Sequence, residues 1–179
     1  MKPVLKANTW ICIILVALGL SGCVTTQFNS APSPHADRQA LWCVLPPINS
    51  TSTPYAGERV QQQLAALLGT QGLRHVLLAP APGDNGPLPI GNGTAGERQA
   101  LAWARQHAAR YVLEGSVDEW DYKVGLDGQP AVGITLRLLD LQSGEIIWSG
   151  AASASGGSRE GLAVLSERTL SGLLKRLLT

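Results

Sequence analysis

Apolar positions in this chain follow two periods, two and near 3.6, in alternating blocks. Ala40 to Leu45 is a short apolar run stopped by Pro46-Pro47, which predicts a buried strand. Thr53-Pro54 offer a cap followed by proline at the first helical position, and Val60, Leu64, Leu67 and Leu68 repeat at helical spacing up to Gly69. Leu73 to Ala79 predicts a second strand, closed by Pro80. After a loop rich in Pro, Gly and Asn that runs to Gly93, Thr94 and Glu97 form a capping box for a helix with Leu101, Ala104 and Ala108 as its buried stripe. Tyr111 to Val117 predicts a third strand, with Leu113 and Val117 on one face and Glu114 and Ser116 on the other. Val132, Ile134, Leu136 and Leu138 alternate as a half-buried strand, and Gln142-Ser143-Gly144 turns into another strand, Glu145 to Ser153. Ser158 can cap a last helix in which Leu162, Leu165, Leu170, Leu173, Leu174 and Leu177 form a broad apolar face. The order β-α-β-α-β-β-β-α predicts a single α/β (α+β) domain, a mixed sheet with helices packed on it.

The N-terminal 39 residues follow neither period. Lys2 and Lys6 precede an apolar run from Ile11 to Leu20 that is too short for a stable membrane span and reads as a secretory signal. Its end, Leu20-Ser21-Gly22-Cys23, resembles the bacterial lipobox, which implies cleavage before Cys23 and acylation of its thiol and amino group. Several acyl chains on one residue make anchoring effectively permanent, at about 0.8 kcal/mol per buried methylene. Residues 1–22 are therefore expected to leave as a signal peptide, and residues 23–39, rich in Thr, Ser, Pro and Asn, to form a lipidated N-terminus and flexible tether. Residues 40–179 make the periplasmic domain. Val24 stands where an aspartate would, by analogy with sorting rules, retain the protein at the inner membrane, so the expected location is the periplasmic face of the outer membrane.

Composition narrows the chemistry. Fourteen Lys and Arg face 13 Asp and Glu; without Lys2 and Lys6 the basic count is 12, which excludes bulk nucleic-acid binding. Cys12 leaves with the signal and Cys23 is acylated, so Cys43 stands alone in an apolar run, as a buried small hydrophobe. His35, His75 and His107 lack metal-ligand spacing, and no Ser or Cys has an evident base, so no catalytic residue, cofactor or metal is expected. Gly91-Asn92-Gly93-Thr94-Ala95-Gly96 matches a dinucleotide fingerprint, but the preceding strand ends near Ala79, too early for the tight strand-to-helix turn that binds pyrophosphate. The marked feature is acidic: Glu114, Asp118, Glu119, Asp121 and Asp127 against Lys123 alone. In a monomer this is a solvated strand end; repeated around a ring, it becomes a strong field.

Several stretches together resemble the PelC family, the outer-membrane lipoproteins of Pel exopolysaccharide export. They are Leu45-Pro46-Pro47-Ile48-Asn49-Ser50, Ala100-Leu101-Ala102-Trp103-Ala104, Tyr111 through Trp120, Tyr122-Lys123-Val124-Gly125-Leu126-Asp127-Gly128 and Gly144-Glu145-Ile146-Ile147-Trp148-Ser149. The resemblance implies a non-enzymatic protein that forms a dodecameric homo-oligomeric ring beside a PelB-like β-barrel and periplasmic export protein. It implies that an electronegative funnel guides a cationic amino-sugar polysaccharide to the pore, for which Asp118, Glu119, Asp121 and Asp127 are the candidate lining. It also implies a tryptophan in contact with outer-membrane lipid, Trp148 first and Trp120 second. The rival expectation on a similar scaffold is a lipoprotein that activates a cell-wall synthesis enzyme one-to-one.

Overall fold

Among the described residues, seven strands and three helices make one mixed sheet with helices on both faces. The computed structural model describes residues 25–81, 94–123, 128–157 and 159–179. In chain order the elements are β1 (Thr25–Ser30), β2 (Trp42–Val44), β3 (Ile48–Asn49), α1 (Ala56–Thr70), β4 (Val76–Leu78), α2 (Thr94–Gln106), β5 (Tyr111–Tyr122), β6 (Pro130–Asp140), β7 (Glu145–Ser155) and α3 (Leu162–Leu178). The sheet order is β1-β7-β6-β5-β2-β4, with β3 paired to β5 beyond the Pro46-Pro47 interruption. The short β2, β3 and β4 are parallel to their neighbours, and the long β5, β6, β7 and β1 form an antiparallel meander.

The helices divide the apolar side chains into two cores. Val60, Leu64 and Leu68 of α1 and Leu165, Leu170, Leu173, Leu174 and Leu177 of α3 cover one sheet face, against Trp42, Leu113, Val117, Ile134, Leu136, Leu138 and Trp148. Gln63 and Ser166 join the two helices by a 2.6 Å hydrogen bond. On the opposite face α2 contributes buried Ala100 and Ala104 and the partly buried Leu101 and Trp103, over Cys43, Leu45, Val112 and Leu139. Gln61 is buried, and its amide donates to the carbonyls of Val44, the last residue of β2, and Ala79, just beyond β4.

Several local expectations need correction. Thr25–Ser30 lies within the stretch expected to be a flexible tether, yet it is an edge strand, paired over six residues with β7. Its anchor is Phe28, whose ring lies against Gly172 so closely that an added Cβ there would sit 2.3 Å from it. The Arg176 guanidinium stacks 4.0 Å from the Phe28 ring centroid. Ser33 Oγ then donates to the Leu177 carbonyl at 2.7 Å, and Arg38 donates to that of Leu178, so the segment after β1 is also fastened. Thr53 does not cap α1: its hydroxyl donates to the Trp120 carbonyl at 2.7 Å, and the helix starts after Tyr55 in a left-handed conformation. Ala108 lies past the end of α2, exposed and with φ 55°, while the adjacent Ala109 is buried. Ser158 and the Gly91-Asn92-Gly93 run lie outside the described residues.

Candidate functional site

The acidic face arises from a break in strand alternation. Val117 and Trp120 are both buried, which a regular strand forbids because residues three apart point to opposite faces. A β-bulge resolves the conflict: Val117 is opposite Ile134, Glu119 is opposite Gly133, and Asp118 is the extra residue. Two consecutive carboxylates, Asp118 and Glu119, are thereby left exposed, and Asp121 follows. Gly133 belongs to the same device, since a Cβ there would meet Glu119 Cβ at 3.2 Å and Glu119 N at 3.3 Å.

Across β6, β7 and β1 the side chains beside these acids are small or neutral. Thr135, Ala151, Ser153, Gln27 and Asn29 floor and flank an open groove of about 690 Å³ that Asp118 and Glu119 border. Asp118 is held in place: Ser116 Oγ donates to its Oδ1 at 2.7 Å and Thr135 Oγ1 to its Oδ2 at 2.9 Å. Among the described residues Asp121 Oδ1 accepts from the Tyr122 amide alone, at 2.7 Å. Lys123 donates to Ser155 Oγ at 3.0 Å, at one end of the strip. Glu114, farther along β5, is opposite Arg137 in register. Burial, and secondarily the Glu97 carboxylate, push its pKa up, with Arg137 opposing.

Sequence-predicted residues separate here. Asp118, Glu119 and Asp121 share one exposed strip, whereas Asp127 and the lipidation candidate Cys23 lie outside the described residues. Trp148 and Trp120, expected at the membrane, are 1% and 3% exposed. Trp148 lies over the core with its Nε1 donating to the Ala31 carbonyl at 3.1 Å, so both rings are packed inside the fold and not presented on its surface. Gln27 and Asn29 were missed as groove walls because a single aromatic, Phe28, in a polar hexamer gives little strand signal. Cys43 is fully buried, and burial raises its thiol pKa to about 11, partly offset by a backbone hydrogen bond with Ala79. Among the described residues no group of His, Cys, Asp and Glu is arranged to hold a metal.

Comparison with known proteins places this geometry. A family model for the peptidoglycan-synthase activator LpoB matches residues 91–153. Two solved PelC dodecamers from Paraburkholderia phytofirmans, in different crystal forms, are 33% and 32% identical to this chain, with TM-scores of 0.73 and 0.74. Each match covers 87% of this chain and 99% of the other. Lipoprotein GNA1162 from Neisseria meningitidis is similar at 21% identity over 76% of this chain and 96% of its own, with a TM-score of 0.52, a likeness of fold alone. No curated protein sequence matches.

Proposed function

This chain belongs to the PelC family, and from that membership we propose that it is a non-catalytic, lipid-anchored protein of Pel-type polysaccharide export. In this reading it assembles into a closed ring on the periplasmic face of the outer membrane, beside a β-barrel pore. The observation that carries the reading is the bulge at Asp118, which sets Asp118, Glu119 and Asp121 on an exposed strip of sheet. Asp127 is proposed to extend that strip.

A polymer in transit needs attractions that are numerous and short-lived. An exposed carboxylate paired with an ammonium group contributes about 0.2–1 kcal/mol and is screened by salt. One subunit therefore binds a cationic amino-sugar chain weakly. Repetition around a closed ring concentrates the field on the axis without creating a tight site at any point. The groove floor of Thr135, Ala151 and Ser153 suits this role, because small side chains leave a sugar polymer room to pass the acids.

The test replaces Asp118, Glu119, Asp121 and Asp127 together by Asn and Gln and measures polymer export in cells, with ring assembly checked by solution mass. Loss of export from an intact ring is expected. Unchanged export from an intact ring removes the lining assignment.

The match to the LpoB model favours one second reading, a lipoprotein that binds and activates a cell-wall synthesis enzyme. The two readings part on assembly. A large closed oligomer of the lipid-anchored protein belongs to the export ring; a monomer that forms a one-to-one complex with a synthase belongs to the activator.

A further inference from the structure

Charge in this domain is sorted by the ends of the sheet. The acidic strip begins at Asp118, while β5 starts at Tyr111, roughly 23 Å away at about 3.3 Å per residue. At that far end Trp42 is paired with Tyr111, and the Trp42 amide donates to the His75 carbonyl at 2.9 Å. The chain entering β2 and the chain entering β4 therefore lie side by side. Between them and the turn after α1 is a hollow of about 220 Å³, lined by Arg38, Gln39, Gln71, Gly72, Arg74 and His75. Every side chain in that lining can donate a hydrogen bond, and none is a carboxylate.

The two arginines are not accounted for by ion pairs. Among the described residues Arg74 makes none, and Arg38 donates to the Leu178 carbonyl at the end of α3. That bond uses one of five guanidinium N–H donors, so it steadies Arg38 and leaves most of its donors for a ligand. Asp37, the adjacent acid, is outside the lining, and its Oδ1 accepts from the Gln39 amide at 2.8 Å. Helix C-termini attract cations, yet the end of α1 is closed by its own backbone: Gln71 N donates to the Leu67 and Leu68 carbonyls, and Leu73 N to that of Leu68. Gly72, at φ 92°, makes the turn toward β4 and leaves that wall without a side chain. A second hollow also has two arginines, Arg105 and Arg110, but there Asp140 pairs with Arg110 at 2.8 Å.

We propose that the hollow between Arg38 and Arg74 binds a phosphate group, as the free anion or as a monoester, with His75, Gln39 and Gln71 completing its shell of donors. A carboxylate presents two oxygens in one plane, enough for one guanidinium fork. A phosphate presents at least three around a tetrahedron, so two forks on different walls can both engage it. Its charge, near minus two, also matches two guanidinium groups that otherwise repel each other. The acidic strip is too distant to oppose binding, since screening acts over about 8–10 Å. The site is independent of the export reading.

The full lipid-anchored chain, held in a maltoside detergent that carries no phosphate, provides the test by titration calorimetry at constant ionic strength. Inorganic phosphate is expected to bind saturably, one per subunit, and about tenfold more weakly to Arg74→Gln and Arg38→Gln. Arg74 is exposed, so its variant keeps the test valid should loss of the Arg38 bond to Leu178 loosen the fold. Arg105→Gln, an exposed arginine outside the hollow, should stay within about twofold of wild type. No saturable binding, or equal weakening by Arg105→Gln and Arg74→Gln, overturns the site. Acetate binding as tightly as phosphate overturns the choice of ligand. N-acetylglucosamine-1-phosphate separates the two sources: tighter binding than inorganic phosphate assigns the hollow to a phosphorylated sugar, and equal or weaker binding to the free anion, each supporting a phosphate site.

Discussion

The two faces of the meander are built by opposite rules. On one, Trp148, Gly150, Ala152 and Ala154 of β7 are buried beneath helices, in step with Leu136 and Leu138 of β6. On the other, Ser149, Ala151 and Ser153 alternate with them and are exposed, in step with Asn29 and Gln27 of β1. Burial gives the first face its stability; the second has few apolar contacts to lose. A face with little stake in folding can carry three carboxylates in four residues, and this is where the candidate function resides. The comparison predicts that substitutions sort by face before they sort by residue type.

The largest effect belongs on the covered face. Trp148→Ala removes a ring that is 1% exposed and its hydrogen bond to Ala31, and is expected to cost about 3–5 kcal/mol in urea unfolding. A cost below about 1 kcal/mol would place that ring outside the core. Phe28→Ala comes next. Its ring is half-buried between Gly172 and Arg176, so a loss of about 1–3 kcal/mol is expected, concentrated on β1. Hydrogen exchange checks this: amides of β1 lose protection while those of β5 and β6 keep it. Uniform loss would mean that β1 is integral to the core and not a strap laid on its edge.

The same division explains what was legible in the sequence. The covered face announces itself, because Val132 to Leu138 alternate and α3 repeats leucine at helical spacing; the mixed sheet with packed helices follows from those patterns. The expectation that Trp148 meets the membrane came from family likeness, which carries no burial. The bulge was written in the sequence as a failure of period two between Val117 and Trp120. Strand β1 was not legible: its partners lie 120 to 130 positions away, and Pro32 and Pro34 made the region look like a linker. Thr53 had the residue type of a cap, but its hydroxyl was taken by the Trp120 carbonyl, a partner that only tertiary structure supplies.

A smaller effect marks the border between the faces. Glu114 is raised above its ordinary value of 4.5, first by burial and then by Glu97. A raised carboxyl holds its proton more tightly in the folded than in the unfolded state, so its contribution to stability is full at low pH. That contribution is lost as pH rises through 4.5 toward the folded value. Glu114→Gln should therefore leave stability unchanged near pH 3 and raise it at pH 7, read from urea midpoints at the two pH values. A loss at pH 7 would mean that pairing with Arg137 outweighs burial.

The smallest effect on folding is expected where the largest effect on function is proposed. Replacing Glu119 and Asp121 by Gln and Asn removes exposed charge without opening a cavity, and each change should stay within about 0.5 kcal/mol of neutral. Asp118→Asn differs, since Asp118 accepts from both Ser116 and Thr135 and an amide retains a single acceptor oxygen. It should be the most costly of the three, and still below the loss at Phe28. Salt separates charge from geometry. Neighbouring carboxylates repel, so added salt should stabilise the wild type more than the triple variant in the same unfolding measurement. Were the triple variant as destabilised as Trp148→Ala, the acids would be part of the fold's support, and the strip could no longer be regarded as surface free to serve a passing polymer.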